Sequence, residues 1–368
     1  MQKVLCLWFM IVILLFLNSC NLFTPLIKSE SVKPNELKAA FIYPGPVEDA
    51  GWTFSHDQAR QELERNHSYI KTAYVESIDS ERLEKAVTKL IEEDGNNIIV
   101  ATSSDYAPVI LKLADQYPKT IFLQCSGYET KPNLGVYFGR MYQARYLTGI
   151  IAGKMTVSNK IGYVAAHPFS EVKRGINAFA VGVRQVNPDA VILVKFTNSW
   201  YNPALERESA EILIEKGCDI ISQHQDTPSC QYAAREYGVW SIGYNTDMSM
   251  FAPSSHLVSA VWNWNVYYKE QFQNISQGQW ESSFYWGGLK EGVVDIASLG
   301  EMIPQDIKNL ADHKKNDIIN ESFDVFDGPI RDNKGNVKIK LGQKPADQEL
   351  MNMDYFVEGV VLIDGDGQ

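Results

Sequence analysis

Apolar runs of strand length alternate with amphipathic stretches of helix length from Leu37 onward. A long and mostly apolar stretch at 143–155 interrupts the alternation, which then starts again. Strands separated by helical stretches of about 10–15 residues predict right-handed βαβ units and a parallel sheet. We therefore expect two doubly wound parallel-sheet lobes in series over residues 36–255. The predicted strands are 38–43, 70–75, 97–102, 120–125, 134–139, 160–166, 191–197, 219–223 and 239–245, and the predicted helices are 54–66, 80–94, 107–118, 143–155, 171–186, 203–216 and 229–237.

The remainder of the chain does not form a third lobe of its own. Its predicted elements are strands at 256–264 and 293–298, a helix near 304–316, a Gly-rich hairpin at 326–341 and a tail at 353–363. We expect these elements to return across the boundary, so that several crossings join the lobes as a hinge. Lobe one is predicted to comprise 36–142 with about 263–363, and lobe two 143–262. Ligands of open α/β sheets bind outside the carboxyl ends of the strands, which places a site in the cleft.

The first residues have the pattern of a targeting segment. Lys3 precedes an apolar run from Val4 to Leu17, and this run is short for a membrane span of about 20 residues. The following Leu17-Asn18-Ser19-Cys20 resembles a bacterial lipobox, in which the cysteine is lipidated. We predict a lipoprotein signal peptide at 1–19 and a tether at 20–35, where two prolines and little periodicity occur. The alternatives are an ordinary signal peptide with an incidental cysteine and a retained anchor.

Composition narrows the class of protein. The chain has 368 residues, with 34 Lys and Arg against 45 Asp and Glu, a net charge of −11. Without clustered basic residues, a nucleic-acid-binding function is not expected. Cys125, Cys218 and Cys230 show no disulfide-scaffold spacing, and we predict free, partly buried thiols, with a Cys218–Cys230 bridge as the alternative.

Aromatic residues follow two predicted strands at matching positions of the two lobes. Trp52 comes after the first strand, and Trp200 comes after the strand at 191–197. A planar indole in such a loop can stack on an aromatic ligand, and the alternative is ordinary packing. If both residues face the cleft, they can sandwich a planar heterocycle.

Polar residues end two further strands. Ser103, Ser104 and Asp105 follow the strand at 97–102, where Ser104 or Asp105 is also a plausible helix N-cap. Asn245 and Asp247 follow the strand at 239–245, two positions apart, and can offer acceptors to the N–H groups of a base. The alternative for this pair is a turn.

Catalytic and metal-binding signatures are absent from the sequence. No G-x-G-x-x-G, G-x-x-x-x-G-K-[ST] or G-x-S-x-G occurs, and the histidines show no H-E-x-x-H. His224 and Asp226 form a lone metal-ligand candidate with weak spacing. We expect no enzymatic activity, no cofactor and no metal.

Several blocks together resemble the basic membrane protein family, lipid-anchored substrate-binding proteins of bacterial ABC importers of purine nucleosides or bases. The resemblance covers about 36–363. It implies a type I periplasmic-binding-protein-like fold, capture of a purine by hinge closure, an ABC permease as partner, and export to the periplasmic or extracellular face of the cell membrane. The matching blocks are GPVEDAGWTFSHDQAR, QARYLTGIIAGKM, NSWYNPALERESAEILIEKGCDII, IGYNTDM and FDGPIRDNKGNV with MDYFVEGV.

The resemblance also assigns ligand-binding residues. The stacking aromatics fall on Trp52 and Trp200, and the acidic residue after the last strand of lobe two falls on Asp247, beside Asn245. Bulky residues at both stacking positions and a Ser-Ser-Asp-Tyr loop leave less room for a sugar, which favours free adenine over a nucleoside. Alternatives are a nucleoside-binding transport lipoprotein, a ligand-sensing receptor and, least favoured, a purine-processing enzyme. Further cleft positions fall on Asp49, Ser103, Ser104 and Tyr142, and a ribose-side position falls on Lys290.

Overall fold

Two β-sheets organise the part of the chain that the computed structural model describes, residues 36–297 and 299–363. The predicted signal peptide, Cys20 and the tether lie outside the described residues. The strands are β1 (Leu37–Ile42), β2 (Ile70–Val75), β3 (Ile98–Ala101), β4 (Ile121–Cys125), β5 (Leu134–Gly139), β6 (Lys160–Ala165), β7 (Val191–Phe196), β8 (Ile220–His224), β9 (Trp240–Asn245), β10 (His256–Trp262), β11 (Phe284–Gly287), β12 (Val294–Ile296), β13 (Ile330–Arg331), β14 (Val337–Ile339) and β15 (Val360–Leu362). The helices are α1 (Trp52–Asn66), α2 (Ser80–Glu92), α3 (Ala107–Gln116), α4 (Met141–Met155), α5 (Ser170–Val186), α6 (Pro203–Glu215), α7 (Ser229–Tyr237), α8 (Trp264–Ser276), α9 (Gln305–Ile319) and α10 (Asp347–Met351).

The first sheet is parallel throughout and has the order β11-β5-β4-β3-β1-β2. Its central strand β3 is buried along its whole length, as expected of a sheet covered by helices on both faces. Helix α2 buries Leu83, Val87 and Leu90, which share one helix face. The side chain of Asp79 begins this helix by accepting a hydrogen bond from the backbone N–H of Arg82 at 2.9 Å.

The second sheet has the order β12-β10-β9-β8-β6-β7-β15. All of its pairs are parallel except β10 with β12, which is antiparallel. The alternating α/β architecture with two parallel-sheet lobes is therefore confirmed. Strand β11 was not predicted, because its four residues FYWG are half-exposed and lack a clear period.

Strand pairing corrects the predicted division of the C-terminal third. The sequence placed about 263–363 in lobe one, but β12 pairs with β10 and β15 pairs with β7, both in the second sheet. Helix α9 packs on α4, and α10 packs on α5, on the same side of the boundary. The period of a short apolar run does not tell which sheet edge receives it, and this choice depends on long-range packing.

Three chain crossings connect the two sheets, after β5, after β10 and after β11. Trp262 and Trp264 flank the second crossing and stack on each other, with ring centroids 4.5 Å apart. Gly139 ends the first crossing strand so close to Trp262 that a Cβ there would lie 2.4 Å from the indole ring. An aromatic cluster thus fills the junction between the lobes.

The interior of lobe two depends on a close approach of α4 and α5. A Cβ added at Gly149 would lie 2.2 Å from the carbonyl oxygen of Phe179, and one at Gly182 would lie equally close to that of Tyr146. Glycine lets the two backbones touch, and α4 is buried on nearly every face.

The three cysteines of the described region are free and buried, so Cys218 and Cys230 do not form a bridge. No helix among the described residues is long and apolar enough to cross a membrane.

Candidate functional site

Loops at the carboxyl ends of the strands of both sheets enclose a cavity of about 220 Å³. Side chains from both lobes line it, with aromatic rings, hydroxyl groups and carboxyl groups all present. The lining residues are Pro44, Gly45, Asp49, Trp52, Thr53, Thr102, Ser103, Ser104, Asp105, Ser126, Phe138, Glu171, Trp200, Tyr201, His224, Asp226 and Tyr244.

Trp52, at the start of α1, is held in one orientation from several sides. Its indole Nε1–H donates to the carbonyl oxygen of Thr102 at 2.8 Å. The rings of Trp262 and Trp264 meet it almost at right angles, at centroid distances of 5.7 and 5.6 Å. His56 contacts it edge-on from within the same helix at 4.6 Å. The aromatic junction between the lobes therefore fixes the plane that Trp52 presents to the cavity.

Trp200 reaches the cavity from lobe two and is less tightly packed. It is half-buried, with His167 at a centroid distance of 5.4 Å and Phe169 at 6.3 Å. The loop that carries it ends at Asn202, whose side chain accepts from the backbone N–H of Leu205 and caps α6. The two tryptophans predicted from the sequence thus border the same cavity from opposite lobes.

Asp49 is fixed by the beginning of α1. Its carboxyl oxygens accept hydrogen bonds from the backbone N–H groups of Gly51, Thr53 and Phe54 at 2.8–2.9 Å. Burial raises the pKa of Asp49, and these three N–H groups oppose that rise by stabilising the carboxylate. Asp49 thus accepts hydrogen bonds from the start of α1 and also borders the cavity.

Asp226 follows β8 and borders the cavity opposite Asp49. Its Oδ1 accepts from the Nδ2 of Asn245 at 2.9 Å, and the Oδ1 of Asn245 accepts from the Nε1–H of Trp262 at 3.0 Å. Asn245 is fully buried with a positive φ of 69°, a conformation that asparagine tolerates better than most residues. Asn245 therefore lies behind the cavity wall and positions Asp226.

Glu171, His224 and Tyr244 form the floor of the cavity on lobe two, and the buried Arg145 contacts this floor without lining the cavity. The Nε2 of His224 lies 3.4 Å from an oxygen of Glu171. The guanidinium group of Arg145 covers the ring of Tyr244 at 3.9 Å and donates to the carbonyl oxygen of Gln223. Burial lowers the pKa of His224, whereas Glu171 has a lowered pKa because His224, Arg174 and Arg145 outweigh the effect of its burial. The floor therefore brings the carboxyl group of Glu171 and the imidazole of His224 together.

Ser103 and Ser104 line the cavity at the end of β3. Ser103 is also the N-cap of the short 3-10 turn Ser104–Tyr106, through a long 3.4 Å bond from the N–H of Asp105 to its Oγ. The cap is therefore Ser103, and not Ser104 or Asp105 as the sequence suggested, and Ser103 also lines the cavity.

The two lobes touch directly beside the cavity. The hydroxyl group of Thr246 donates to the carbonyl oxygen of Ala50 at 2.7 Å. A Cβ added at Gly51 would lie 2.2 Å from the carbonyl oxygen of Asp226. Glycine at position 51 thus permits the closed arrangement of the lobes.

The charge of the cavity wall restricts its ligands. Four carboxyl groups border it, those of Asp49, Asp105, Glu171 and Asp226, and no lysine or arginine does so among the described residues. Such a wall repels phosphates and carboxylates and offers acceptors to N–H and O–H groups. No group of three or more His, Cys, Asp or Glu residues suited to a metal ion occurs in the described ranges, and His224 with Asp226 forms part of the cavity wall instead.

Four predicted ligand residues do not line the cavity: Asn245, which lies behind its wall, and Asp247, Tyr142 and Lys290, which lie away from it. Asp247 is exposed, and its carboxyl group accepts from the backbone N–H of Ser249 at 3.0 Å, as in the turn alternative. Tyr142 and Lys290 border a second cavity of about 260 Å³ near the lobe crossings. There Lys290 pairs with Glu321 at 2.9 Å. The matched family positions of these residues therefore do not meet Trp52 and Trp200 in this structure.

The residues of the cavity wall that sequence reasoning did not propose as ligand-binding include Glu171, His224, Asp226 and Tyr244. Asp226 directly follows a strand, and this position was the available signal, although the residue was weighed only as a metal ligand. Glu171 near the start of α5 and Tyr244 within β9 carry no local signal that separates them from capping and core residues.

Comparison with known proteins gives consistent results. Residues 36–327 match the family described as "ABC transporter substrate-binding protein PnrA-like". A purine-binding protein of Brucella abortus is 37% identical over 88% of this chain and 93% of its own length. A Haloferax volcanii protein, named for glucose binding by an ABC transporter, is 36% identical over 88% of this chain and 80% of its own length.

A solved solute-binding protein of an Aeropyrum pernix ABC transporter has the same fold. It superposes with a TM-score of 0.70 at 16% identity, over 88% of this chain and its whole length. At that identity the likeness speaks for the fold alone. The family comprises solute-binding proteins of ABC transporters and not enzymes, and the family match together with both relatives shows that this chain belongs to the PnrA-like (Bmp) family of ABC transporter substrate-binding proteins.

Proposed function

We propose that the protein captures a free purine base, with adenine the favoured ligand, and delivers it to a membrane permease. The observation that carries the proposal is a cavity with one tryptophan from each lobe, four carboxyl groups and no lysine or arginine among the described residues that line it. Indole rings stack on a heterocycle, and carboxyl groups recognise its polar edge. The Brucella relative named for purine binding supports the same ligand class.

Size supports a base over a nucleoside. The cavity of about 220 Å³ is small beside the roughly 300–1,000 Å³ of ordinary small-molecule pockets. Closure of the lobes around the base, with Trp52 and Trp200 on its faces, buries the ligand and creates the surface that a permease recognises. Asp226 takes the place of Asp247 in this proposal because Asp226 borders the cavity.

Isothermal titration calorimetry tests the ligand class. The full chain in mild detergent, freed of bound ligand by unfolding and refolding, is titrated at pH 6 with adenine, guanine, adenosine, inosine and glucose. We expect heat with adenine and none with the nucleosides. Binding of adenosine would show that the cavity admits ribose, and binding of glucose alone would refute the purine proposal in favour of a sugar, as in the name of the Haloferax relative.

We also propose that Cys20 carries the lipid that holds the protein at the membrane, following the Leu17-Asn18-Ser19-Cys20 pattern. After expression in a bacterium, the wild-type chain should partition into detergent on phase separation, and Cys20→Ala should lose the lipid mass. An unchanged mass in the variant would contradict lipidation at this residue.

A further inference from the structure

A buried chain of hydrogen bonds determines which way the Asn245 amide points. The indole Nε1–H of Trp262 can only donate, and its partner is the Oδ1 of Asn245 at 3.0 Å. The amide oxygen therefore faces Trp262, and the NH₂ group faces the Oδ1 of Asp226 at 2.9 Å. Both Trp262 and Asn245 are buried, so water does not compete for these groups.

The direction of these hydrogen bonds determines which oxygen of Asp226 can carry a proton. Because an amide NH₂ donates to Oδ1, that oxygen must act as an acceptor. A proton on the Asp226 carboxyl group therefore belongs on Oδ2. No group among the described residues donates a hydrogen bond to Oδ2, and Asp226 borders the cavity, so Oδ2 is available to a ligand.

The surroundings of Asp226 favour the protonated form. Acidic groups face it from three elements: Asp49 on the loop after β1, Glu171 on α5 and Glu206 on α6. His224, at the end of β8, is the titratable neighbour on its own segment, and burial lowers its pKa, which disfavours a positive charge there. Burial, followed by the charges of Asp49 and Glu206, raises the pKa of Asp226 well above its usual range.

Asp49 and Asp226 differ in the number of hydrogen-bond donors that stabilise their ionised forms. The three N–H groups at the start of α1 donate to the Asp49 carboxylate and favour its ionised form. Asp226 accepts from one amide donor, and no lysine or arginine of the described ranges pairs with it. When both carboxyl groups line one closed cavity, the single proton belongs on Asp226.

We propose that Asp226 binds the ligand as a neutral carboxylic acid, with its Oδ2–H donating to an unprotonated ring nitrogen. This inference rests on the proposed function, and it makes Asp226 the residue that selects a ligand edge with an acceptor. Trp262 and Asn245 are positioning residues that set the donor side of the acid. A ligand that presents a ring N–H at this point is bound more weakly.

The Asp226→Asn variant tests the proposal sharply. In the variant, Asn245 can still donate to the amide oxygen, so the new NH₂ group replaces Oδ2–H as the donor toward the cavity. We expect adenine affinity within about threefold of wild type at pH 6 and no change in affinity up to pH 9. Wild-type affinity should fall by up to about tenfold per pH unit above the pKa of Asp226.

A large loss of adenine affinity in Asp226→Asn would contradict the proposal. If an ionised Asp226 accepts an N–H from the ligand, Asp226→Asn will lose more than about tenfold in affinity, which would overturn the proposal. Asp247→Asn is the matched control, because Asp247 is exposed and outside the cavity.

Trp262→Phe tests the positioning role of Trp262, because it keeps an aromatic ring but removes the N–H group that orients the amide of Asn245. It should weaken adenine binding several-fold and restore some dependence on pH, and unchanged binding would count against the positioning chain.

A measurement without ligand separates this proposal from the purine assignment. Infrared difference spectroscopy of the full chain at pH 7 should show the carbonyl stretch of a protonated carboxyl group. Because burial also raises the pKa of Glu206 to about 7, the band is read in the Glu206→Gln background, where it should persist and where the added change Asp226→Asn should remove it. Its absence from this background would overturn the proposal whatever the ligand, whereas its presence without any purine binding would refute only the purine assignment.

Discussion

The two cavity tryptophans differ in how much of the fold depends on them. Trp52 is packed against Trp262, Trp264 and His56 and bonded to the backbone of Thr102. Trp200 is half-buried and contacts mainly His167 and Phe169. Substitution of Trp52 therefore affects binding and stability together, whereas Trp200 reports on binding with little effect on folding.

Trp200→Ala should weaken adenine binding by roughly 5- to 150-fold, because base–aromatic stacking contributes about 1–3 kcal/mol. Calorimetric titration measures the affinity, and thermal unfolding should show a nearly unchanged Tm. Trp280→Ala is the control, because Trp280 is also half-buried but bonds to Gln271 and is not among the lining residues of the cavity. Equal affinities of Trp200→Ala and wild type would exclude stacking by this residue.

At the scale of elements, a buried acid joins α6 to the loop after β8. Glu206 is fully buried and accepts hydrogen bonds from the hydroxyl group of Thr227 and the backbone N–H of Asn202. Burial raises the pKa of Glu206 to about 7, against the opposing effect of these bonds. The loop that carries Asp226 is thus attached to a helix through a group that titrates near neutral pH.

The pH dependence of stability follows from that raised pKa. The folded state keeps the Glu206 proton more tightly than the unfolded chain, so the contribution is complete below about pH 4.5 and is lost as pH rises to about 7. Relative to Glu206→Gln, the wild-type protein should lose up to roughly 3 kcal/mol of unfolding free energy between pH 4.5 and 8. Urea unfolding across this range measures the difference.

Glu211→Gln provides the comparison on the same helix. Its side chain is 28% exposed and pairs with Arg207 at the surface, so its removal should change stability by less than about 1 kcal/mol. A parallel pH profile for wild type and Glu206→Gln would show that Glu206 is ionised at low cost in the folded protein, contrary to its burial.

At the scale of the whole molecule, closure depends on backbone contact between the lobes. Gly51 meets the carbonyl group of Asp226, and Ala50 accepts a hydrogen bond from Thr246. The aromatic cluster around Trp262 and Trp264 lies at a crossing of the hinge and also contacts Trp52. Lobe position and the orientation of Trp52 are therefore linked through one set of side chains.

Gly51→Ala should hold the lobes apart, because its Cβ would lie 2.2 Å from a backbone oxygen of the other lobe. We expect a larger radius of gyration in the presence of adenine by small-angle X-ray scattering. Affinity should fall by about tenfold or more if the closed population drops to a tenth.

Gly175→Ala is the matched control for this change. Its Cβ would lie at an ordinary contact distance of 3.5 Å from His224, within lobe two. If Gly51→Ala still closes around adenine with wild-type dimensions, the loop at 50–52 absorbs the methyl group and closure does not depend on this glycine.

Local pattern alone determined the main elements of this protein. Alternating strands and helices predicted two parallel-sheet lobes, and the positions after β1 and β7 predicted that Trp52 and Trp200 would border the cleft. These features are readable because side-chain period and strand-end position are properties of neighbouring residues. The missing catalytic motifs likewise agreed with a family that binds solutes.

Only the tertiary structure decided which distant groups meet. It placed β12 and β15 in the second sheet, Tyr142 and Lys290 at another cavity, and Asp226 instead of Asp247 at the wall of the cavity that Trp52 and Trp200 border. Such outcomes depend on packing between segments far apart in the chain, and neighbouring residues carry no record of that packing. The pairing of Asp49 with Asp226 exists only because the two lobes close, which is why the charge state of the site is a property of the folded molecule.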